Sequence, residues 1–163
     1  MSKKVVVLYA SNKGKAQAVA EKIGEKIHGA KVLNIAETDV ADLKGYDYYI
    51  FGTSSIGHGD MQKTWKEKIA DVAALDFNGK TVALFGLGNQ AYHSDTFAEG
   101  VSHIYEALNG KVTIEGETST EGYHFSETKS EVAGKFIGLI LDQDAEPEKA
   151  DVKIDAWLKT LSL

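Results

Sequence analysis

The sequence predicts an α/β fold in which helices cover both faces of a parallel β-sheet. Short, continuously apolar runs recur along the chain, and such runs are typical of strands that are buried on both faces. Segments with apolar residues at helical spacing separate these runs. Strands that alternate with helices form right-handed βαβ units, and these place helices on both sides of one sheet.

The first part of the chain predicts two strands and one helix. Residues 5–9 (VVVLY) form a β-branched apolar run, and residues 31–35 (KVLNI) form a second one. The helix between them has its apolar positions at Ala16, Val19, Ala20, Ile23 and Ile27. After the second strand we predict a short helical turn that Thr38 caps and that ends near Gly45.

The middle of the chain repeats this order. Residues 46–53 (YDYYIFGT) and 80–88 (KTVALFGLG) predict the third and fourth strands. Between them Asp60 is the predicted N-cap of a helix. The apolar positions of that helix are Met61, Trp65, Ile69 and Val72. A helix after the fourth strand ends at Asn109-Gly110 and has its apolar positions at Phe97, Val101, Ile104, Tyr105 and Leu108.

The last part departs from this alternation. Residues 111–116 (KVTIEG) and 135–142 (KFIGLILD) both predict strands. The polar stretch between them, residues 117–134, is too long for a tight turn. A terminal helix follows the single proline, Pro147, and has its apolar positions at Ile154, Trp157, Leu158 and Leu161. Trp157, like Trp65, is predicted to be a core residue.

Composition limits the class of protein. The 163 residues predict one domain over residues 1–163, and the absence of cysteine excludes disulfides and thiolate metal sites. No apolar stretch reaches transmembrane length, so we expect a cytoplasmic protein that does not bind membranes. Residues 1–80 hold 12 lysines against 10 acids, whereas residues 81–163 hold 6 against 14. This acidic half argues against nucleic acid as a partner and favours proteins with basic docking surfaces; solubility alone is the alternative explanation.

Polar loops follow the first, third and fourth predicted strands. These loops are residues 11–16 (SNKGKA), 53–60 (TSSIGHGD) and 86–95 (GLGNQAYHSD). In a parallel α/β sheet, ligands bind beyond the carboxyl ends of the strands, where the strand order reverses. Glycine permits close backbone approach, while hydroxyl, amide and imidazole groups form hydrogen bonds. The three loops therefore predict one ligand site.

The first loop is open to two interpretations. It is not a Walker phosphate loop, because Ala16 stands where magnesium requires a hydroxyl, and its single glycine excludes a Rossmann fingerprint. The free amides and the dipole at a helix start favour an anion such as phosphate. An ordinary turn between a strand and a helix is the alternative.

Two longer stretches resemble the long-chain flavodoxins. DFNGKTVALFGLGNQ is similar to the fourth strand of that family with its Gly-x-Gly-Asp-Gln loop, and EGYHFSETKSEVAGKFIGLILDQD resembles the segment that interrupts the fifth strand. The resemblance covers essentially the whole chain. It implies a flavodoxin-like, doubly wound five-stranded parallel sheet of order 2-1-3-4-5, with a long insertion in strand five. It also implies one noncovalent FMN and low-potential electron transfer.

The resemblance also implies which residues contact FMN. The phosphate loop of the family reads Thr-x-Thr-Gly-x-Thr, so Lys13 and Ala16 depart from it here. Ile56 stands where many members place a tryptophan against the flavin, and either His93 or Tyr92 is expected to stack on the ring. The full set of expected contacts is Ser11, Asn12, Lys13, Gly14, Lys15, Ala16, Thr53, Ser54, Ser55, Ile56, Gly57, His58, Gly59, Leu87, Gly88, Asn89, Tyr92, His93, Asp95 and Asp144.

Three of these residues carry more specific expectations. In the family, the peptide here formed by Gly57 and His58 can turn over on reduction, so that its carbonyl accepts a hydrogen bond from the flavin N5–H. Asn89, as an amide, is expected to hydrogen-bond the pyrimidine end of the ring.

A metal site built from His58, Asp60 and His93 is conceivable, but nothing in their spacing favours it.

The resemblance implies an electron carrier and not an enzyme with its own substrate. We expect a monomer whose partners are a basic flavodoxin/ferredoxin-NADP reductase or a 2-oxoacid oxidoreductase. One alternative is a flavodoxin-like NAD(P)H:quinone oxidoreductase. A second is a flavodoxin-like binding module with weakened or lost FMN binding, which the changed phosphate loop suggests.

Overall fold

A computed structural model describes residues 3–56 and 58–163, with the backbone alone at Ile56. It contains eleven strands: β1 (Val5–Ala10), β2 (Lys31–Asn34), β3 (Tyr48–Thr53), β4 (Ser55–Ile56), β5 (Asp60–Met61), β6 (Thr81–Leu87), β7 (Thr113–Glu115), β8 (Thr118–Ser119), β9 (Glu131–Val132), β10 (Lys135–Phe136) and β11 (Leu139–Leu141). The α-helices are α1 (Lys15–Glu25), α2 (Lys63–Ala73), α3 (Gly100–Leu108) and α4 (Ala150–Leu158). Within the described ranges, none of these helices has both the length and the apolar character needed to cross a membrane.

The central sheet is parallel and has the predicted order. Its strands run β2-β1-β3-β6, followed by β11 and β7, which both pair with β6. Every residue of β1 and β3 is buried, as a continuously apolar sequence requires in a sheet covered on both faces. The predicted flavodoxin-like sheet is confirmed.

The last position of the sheet is shared by two short strands. β7 pairs with the first half of β6, from Thr81 to Ala83, and β11 pairs with the second half, from Phe85 to Leu87. Between these strands the chain forms a small antiparallel sheet of order β8-β10-β9. We call residues 116–138 the insertion. The predicted interruption of strand five is confirmed.

The prediction of a single strand over residues 135–142 was wrong in one respect. β10 belongs to the small sheet and β11 to the central one, so the run changes sheets near Gly138. A Cβ added at Gly138 would lie 2.1 Å from the Leu84 carbonyl oxygen. Only glycine permits so close an approach to β6, and this contact occurs where the chain enters the central sheet.

Two apolar layers enclose the sheet. One lies under α2 and α3 and includes Trp65, whose indole N–H donates to the Gly52 carbonyl at 3.0 Å. The other lies under α1 and α4 and includes Trp157, whose indole N–H donates to the Gly116 carbonyl at 2.8 Å. Both tryptophans are buried, which confirms their prediction as core residues.

Two predicted helix caps were wrong. Gln62 caps α2, since its side-chain oxygen accepts from Thr64 N–H at 2.7 Å, while Asp60 lies in β5. The turn after β2 divides into two short 3₁₀ helices, and Asp39 caps the second through the Ala41 N–H at 3.1 Å. In both cases the capping side chain stands one or two positions beyond the predicted one.

Candidate functional site

The polar loops converge at the carboxyl edge of the central sheet. The loops after β1, β3, β6 and β11 meet there because the carboxyl ends of parallel strands share one edge. They enclose a cavity of about 440 Å³, which is within the range of small-molecule sites. The lining residues are Ser11, Asn12, Lys13, Lys15, Ala16, Ser54, Ser55, Leu87, Gly88, Asn89, Tyr92, His93, Thr96, Ala98, Gln143 and Asp144.

The first loop presents a helix start to the cavity. Ser11 Oγ accepts from the Gly14 N–H at 2.9 Å and so closes the loop. Gly14 has φ of +88°, a conformation that glycine adopts without a Cβ penalty, and α1 begins immediately after it. Within the described chain no side chain caps α1, which leaves the amides of its first turn available to an anion. Lys13 and Lys15 lie beside these amides and are exposed.

Three neighbouring residues of the second loop have hydroxyl groups, and these groups differ in their hydrogen-bond partners. The sequence alone does not show this difference. Thr53 is fully buried and donates to the Ser54 carbonyl at 2.9 Å. Ser55 donates to the Leu87 carbonyl at 3.2 Å and accepts from the Gly100 N–H at 2.9 Å. The Ser54 hydroxyl is buried and has no hydrogen-bond partner among the described residues. Of the three predicted donors, Ser54 is therefore the one whose hydroxyl is not already used by the protein.

The rest of the second loop is described in part. Ile56 pairs through its backbone with Asp60. The Ile56 side chain and Gly57 lie outside the described residues. The expectation that the Gly57-His58 peptide turns over therefore also concerns a part of the chain that the structure does not describe. His58 is exposed, and its ring lies edge-on to that of His93, with centroids 6.2 Å apart. Gly59 is buried, and its carbonyl oxygen lies 2.9 Å from His103 Nε2. His103 thereby anchors the loop to α3.

The third loop brings both candidate stacking residues to the cavity. His93 is partly buried, whereas Tyr92 is 83% exposed, and both line the cavity. Asp95 is exposed in a 3₁₀ turn and lies outside the lining. Which of the two rings stacks on a ligand stays a prediction.

Asn89 is occupied by the third loop itself. Its side-chain oxygen accepts from the N–H groups of Ala91 at 3.0 Å and Tyr92 at 2.9 Å. Its amide nitrogen donates to Asp144 at 3.0 Å. This arrangement shapes the loop and joins it to the loop after β11, so the predicted contact with a flavin ring would compete with these bonds.

A buried carboxylate that the sequence analysis missed holds the two loops together. Asp142 is 2% exposed and accepts from the main-chain and side-chain nitrogens of Gln90, at 2.9 Å and 3.0 Å. It also accepts from the N–H groups of Asp144 at 3.1 Å and Ala145 at 2.9 Å. These four donors satisfy a charge that would otherwise be costly to bury. An aspartate at the end of an apolar strand was the available signal.

Four buried polar atoms have no partner in the described structure, and all four belong to residues that line the cavity. They are Ser54 Oγ, His93 Nδ1, Thr96 Oγ1 and Gln143 Oε1. Buried polar groups are almost always hydrogen-bonded, so the concentration of these four atoms around one cavity favours a polar ligand as their partner. Thr96, Ala98 and Gln143 were not predicted as site residues, although Thr96 and Gln143 each stand beside a predicted one.

The arrangement of the described side chains also shows whether they could bind a metal ion. Among them, no group of three histidine, aspartate or glutamate side chains is arranged to hold a metal ion. The pair of His58 and His93 is therefore not extended by Asp60 into a three-ligand site.

Comparison with known proteins identifies the family. The sequence model of the flavodoxin family, described as "Flavodoxin", matches residues 7–157. The chain belongs to the flavodoxin family. A flavodoxin of Helicobacter pylori is 38% identical over 157 residues, which are 96% of this chain and 94% of that protein. A flavodoxin of Nostoc is 34% identical over an alignment of 165 positions, which covers 99% of this chain and 96% of that protein.

A solved flavodoxin shares the fold closely. The crystal structure of Fusobacterium nucleatum flavodoxin bound to flavin mononucleotide superposes with a TM-score of 0.91 at 28% identity, over 97% of this chain and 96% of that one. Flavodoxins are electron-transfer proteins, so membership of the family does not favour the quinone oxidoreductase or the non-redox binding module.

Proposed function

We propose that this flavodoxin is an FMN-containing, low-potential carrier that passes single electrons between a reductase and other redox proteins. The observation that carries the proposal is the set of four buried polar side-chain atoms around the cavity of about 440 Å³ that have no partner among the described residues. The similar flavodoxin of Fusobacterium nucleatum was crystallised with flavin mononucleotide. FMN has a phosphate, a polyhydroxylated chain and a ring with several hydrogen-bonding atoms, which suits such a lining.

The residues present fit the parts of FMN. The uncapped start of α1, with Lys13 and Lys15 beside it, suits the phosphate, because helix N-termini attract anions. Ser54 and Thr96 would supply hydroxyl hydrogen bonds, and His93 would supply a ring nitrogen. FMN supplies the redox chemistry when bound, and these residues hold and orient it.

The structure supports some of the FMN contacts predicted from the sequence more than others. Those on cavity-lining residues are supported by position. Thr53 lies outside the lining and Ser55 within it, but the hydroxyls of both bond main-chain groups, so both residues support the shape of the site. We propose that Ile56 faces the ring, and that Tyr92 or His93 stacks on it.

We also propose the partners, the location and the class of this flavodoxin. Flavodoxins act with redox partner proteins, and we propose a basic flavodoxin/ferredoxin-NADP reductase or a 2-oxoacid oxidoreductase for this chain. The acidic second half of the sequence supports a basic partner. We further propose a cytoplasmic monomer with one domain, of the long-chain class because residues 116–138 interrupt strand five. Cell fractionation tests the cytoplasmic location, and size-exclusion chromatography tests the monomeric state.

The visible spectrum of the purified protein tests the central proposal. We expect a yellow protein whose extracted flavin is FMN in a one-to-one ratio. After removal of the flavin, added FMN should lose its fluorescence on binding. A colourless protein that leaves FMN fluorescence unchanged would contradict the proposal. Rapid bleaching of the flavin by NADPH alone would instead support an oxidoreductase.

A further inference from the structure

We propose that Asp144 sets the affinity of this site for phosphate by competing with the phosphate for Lys15. The inference rests on the proposed function, because it concerns the binding of FMN. It assigns Asp144 a role in specificity, in place of the direct flavin contact that the sequence predicts. Its starting point is an ion pair that spans the cavity.

The ion pair joins two of the loops that enclose the cavity. Lys15 is the first residue of α1, and its ammonium group contacts a carboxylate oxygen of Asp144, which follows β11. Both residues line the cavity, and their side chains are 50% and 44% exposed. The pair therefore lies at the solvent edge of the cavity, beside the uncapped helix start.

The carboxylate of Asp144 is fixed independently of Lys15. Its second oxygen accepts from the Asn89 amide at 3.0 Å, and its main-chain N–H donates to the buried Asp142 at 3.1 Å. Lysine, in contrast, has a flexible side chain with a single point charge. The aspartate is thus the fixed partner, and Lys15 is the partner that can leave.

The pairing changes the charge available to a phosphate. Of the residues that the structure describes, three charged ones line the cavity, namely Lys13, Lys15 and Asp144. Among the described residues, no acidic side chain lies within ion-pair distance of Lys13, whereas the charge of Lys15 is matched by Asp144. A phosphate at the start of α1 meets one available ammonium and must displace Asp144 to gain the second. Riboflavin has no phosphate and faces no such competition.

The magnitude of the effect follows from exposure. Ion pairs as exposed as this one contribute little, and the measured range corresponds to a factor of up to about five in an equilibrium constant. We therefore expect Asp144 to weaken FMN binding by about two- to fivefold. Exposed charges are screened by salt, so the factor should shrink as ionic strength rises.

The test is a double-mutant cycle on FMN affinity, measured by quenching of flavin fluorescence in Asp144→Asn, Lys15→Gln and the double variant. Asparagine keeps the size of Asp144 and an oxygen for Asn89. We expect Asp144→Asn to tighten FMN binding about two- to fivefold at low salt, without tightening riboflavin binding. Lys15→Gln should change FMN affinity little alone, yet abolish the gain in the double variant. As the matched control, Lys13→Gln should weaken FMN binding equally in both Asp144 backgrounds.

The alternatives give different results. If Asp144 contacts the flavin directly, Asp144→Asn will weaken FMN and riboflavin alike, and the inference is overturned. Additive effects of the Lys15 and Asp144 substitutions would overturn it as well. A wild-type protein that binds neither ligand would overturn the proposed function, and with it the inference. If the wild-type protein binds both FMN and riboflavin but the effects of the Lys15 and Asp144 substitutions are additive, the inference is overturned and the proposed function stands.

Discussion

The Ser55 hydroxyl accepts a hydrogen bond from the Gly100 N–H at 2.9 Å, at the first residue of α3. The same hydroxyl donates to the Leu87 carbonyl at 3.2 Å, at the end of β6. One side chain thus joins the second loop to the two elements that carry the third. The hydroxyl oxygen of its neighbour Ser54 is buried but has no partner among the described residues. Substitution of the two serines should therefore have different effects on the stability of the protein.

We expect Ser55→Ala to lower the free energy of unfolding of the flavin-free protein by about 1–3 kcal/mol, because it leaves the Gly100 N–H without its acceptor. Ser54→Ala should leave that stability unchanged, since its hydroxyl bonds no other residue in the described part of the chain. Urea unfolding monitored by circular dichroism checks both. Equal losses of stability would show that Ser54 bonds the protein and is not reserved for a ligand.

The same Ser54→Ala variant should bind FMN about three- to tenfold more weakly, the usual effect of losing one hydrogen bond. Flavin fluorescence quenching measures this affinity. A variant with unchanged affinity would remove Ser54 from the set of FMN donors. Ser119→Ala, at an exposed position of β8 in the insertion, provides the control.

Lys13 gives a prediction about the phosphate. Riboflavin should bind much more weakly than FMN, since the amides at the start of α1 and Lys13 have no phosphate to hold. Lys13→Thr restores the usual hydroxyl of the family and should be tolerated better than Lys13→Glu, which places a negative charge beside the phosphate. Equal dissociation constants for riboflavin and FMN would show that the first loop is only a turn.

Docking to a basic reductase should depend on salt. Residues 81–163 hold 14 acids against 6 lysines, and four of these acids are exposed on the insertion: Glu117, Glu121, Glu127 and Glu131. Exposed charges are screened beyond about 10 Å at 0.1 M salt, so the second-order rate of electron transfer should fall as salt rises. Stopped-flow measurement with an uncharged small oxidant is the control. A rate with the reductase that does not change with ionic strength would contradict electrostatic docking.

The pattern of apolar residues was sufficient to predict the central sheet, because strands buried on both faces must be continuously apolar. It could not predict that residues 135–142 change sheets, since this depends on the close approach of Gly138 to Leu84, which are distant in sequence. The loops of the site followed from their place after the strands. The availability of their hydroxyls did not, because Thr53, Ser54 and Ser55 differ only in what surrounds them. Local pattern determines elements, and long-range contacts determine which polar atoms remain unpaired.

Glu115, the last residue of β7, is not part of the cavity lining, and its hydrogen bonds predict a pH dependence of stability. One of its oxygens accepts from Tyr48 OH at 2.6 Å and from the N–H and hydroxyl of Ser162, both at 2.7 Å. Burial opposes the charge of Glu115, but these hydrogen bonds, with nearby Lys3, outweigh it and hold its pKa below the usual value. Burial, and then the contact with Glu115, raise the pKa of Tyr48, which keeps its hydroxyl protonated as a donor.

A carboxyl group whose pKa is lower in the folded than in the unfolded protein stabilises the fold above its unfolded pKa, about 4.3 for glutamate. That stabilisation is lost as the pH falls through the folded pKa, because the carboxyl group is then protonated in both states. We therefore expect Glu115→Gln to lower the free energy of unfolding by about 1 kcal/mol near neutral pH, the effect of exchanging a charged acceptor for a neutral one. The difference from wild type should shrink below about pH 4. Urea unfolding of both proteins across this range measures it, with the exposed Glu117→Gln as control. A difference that stays constant with pH would show that Glu115 acts through packing and not through its charge.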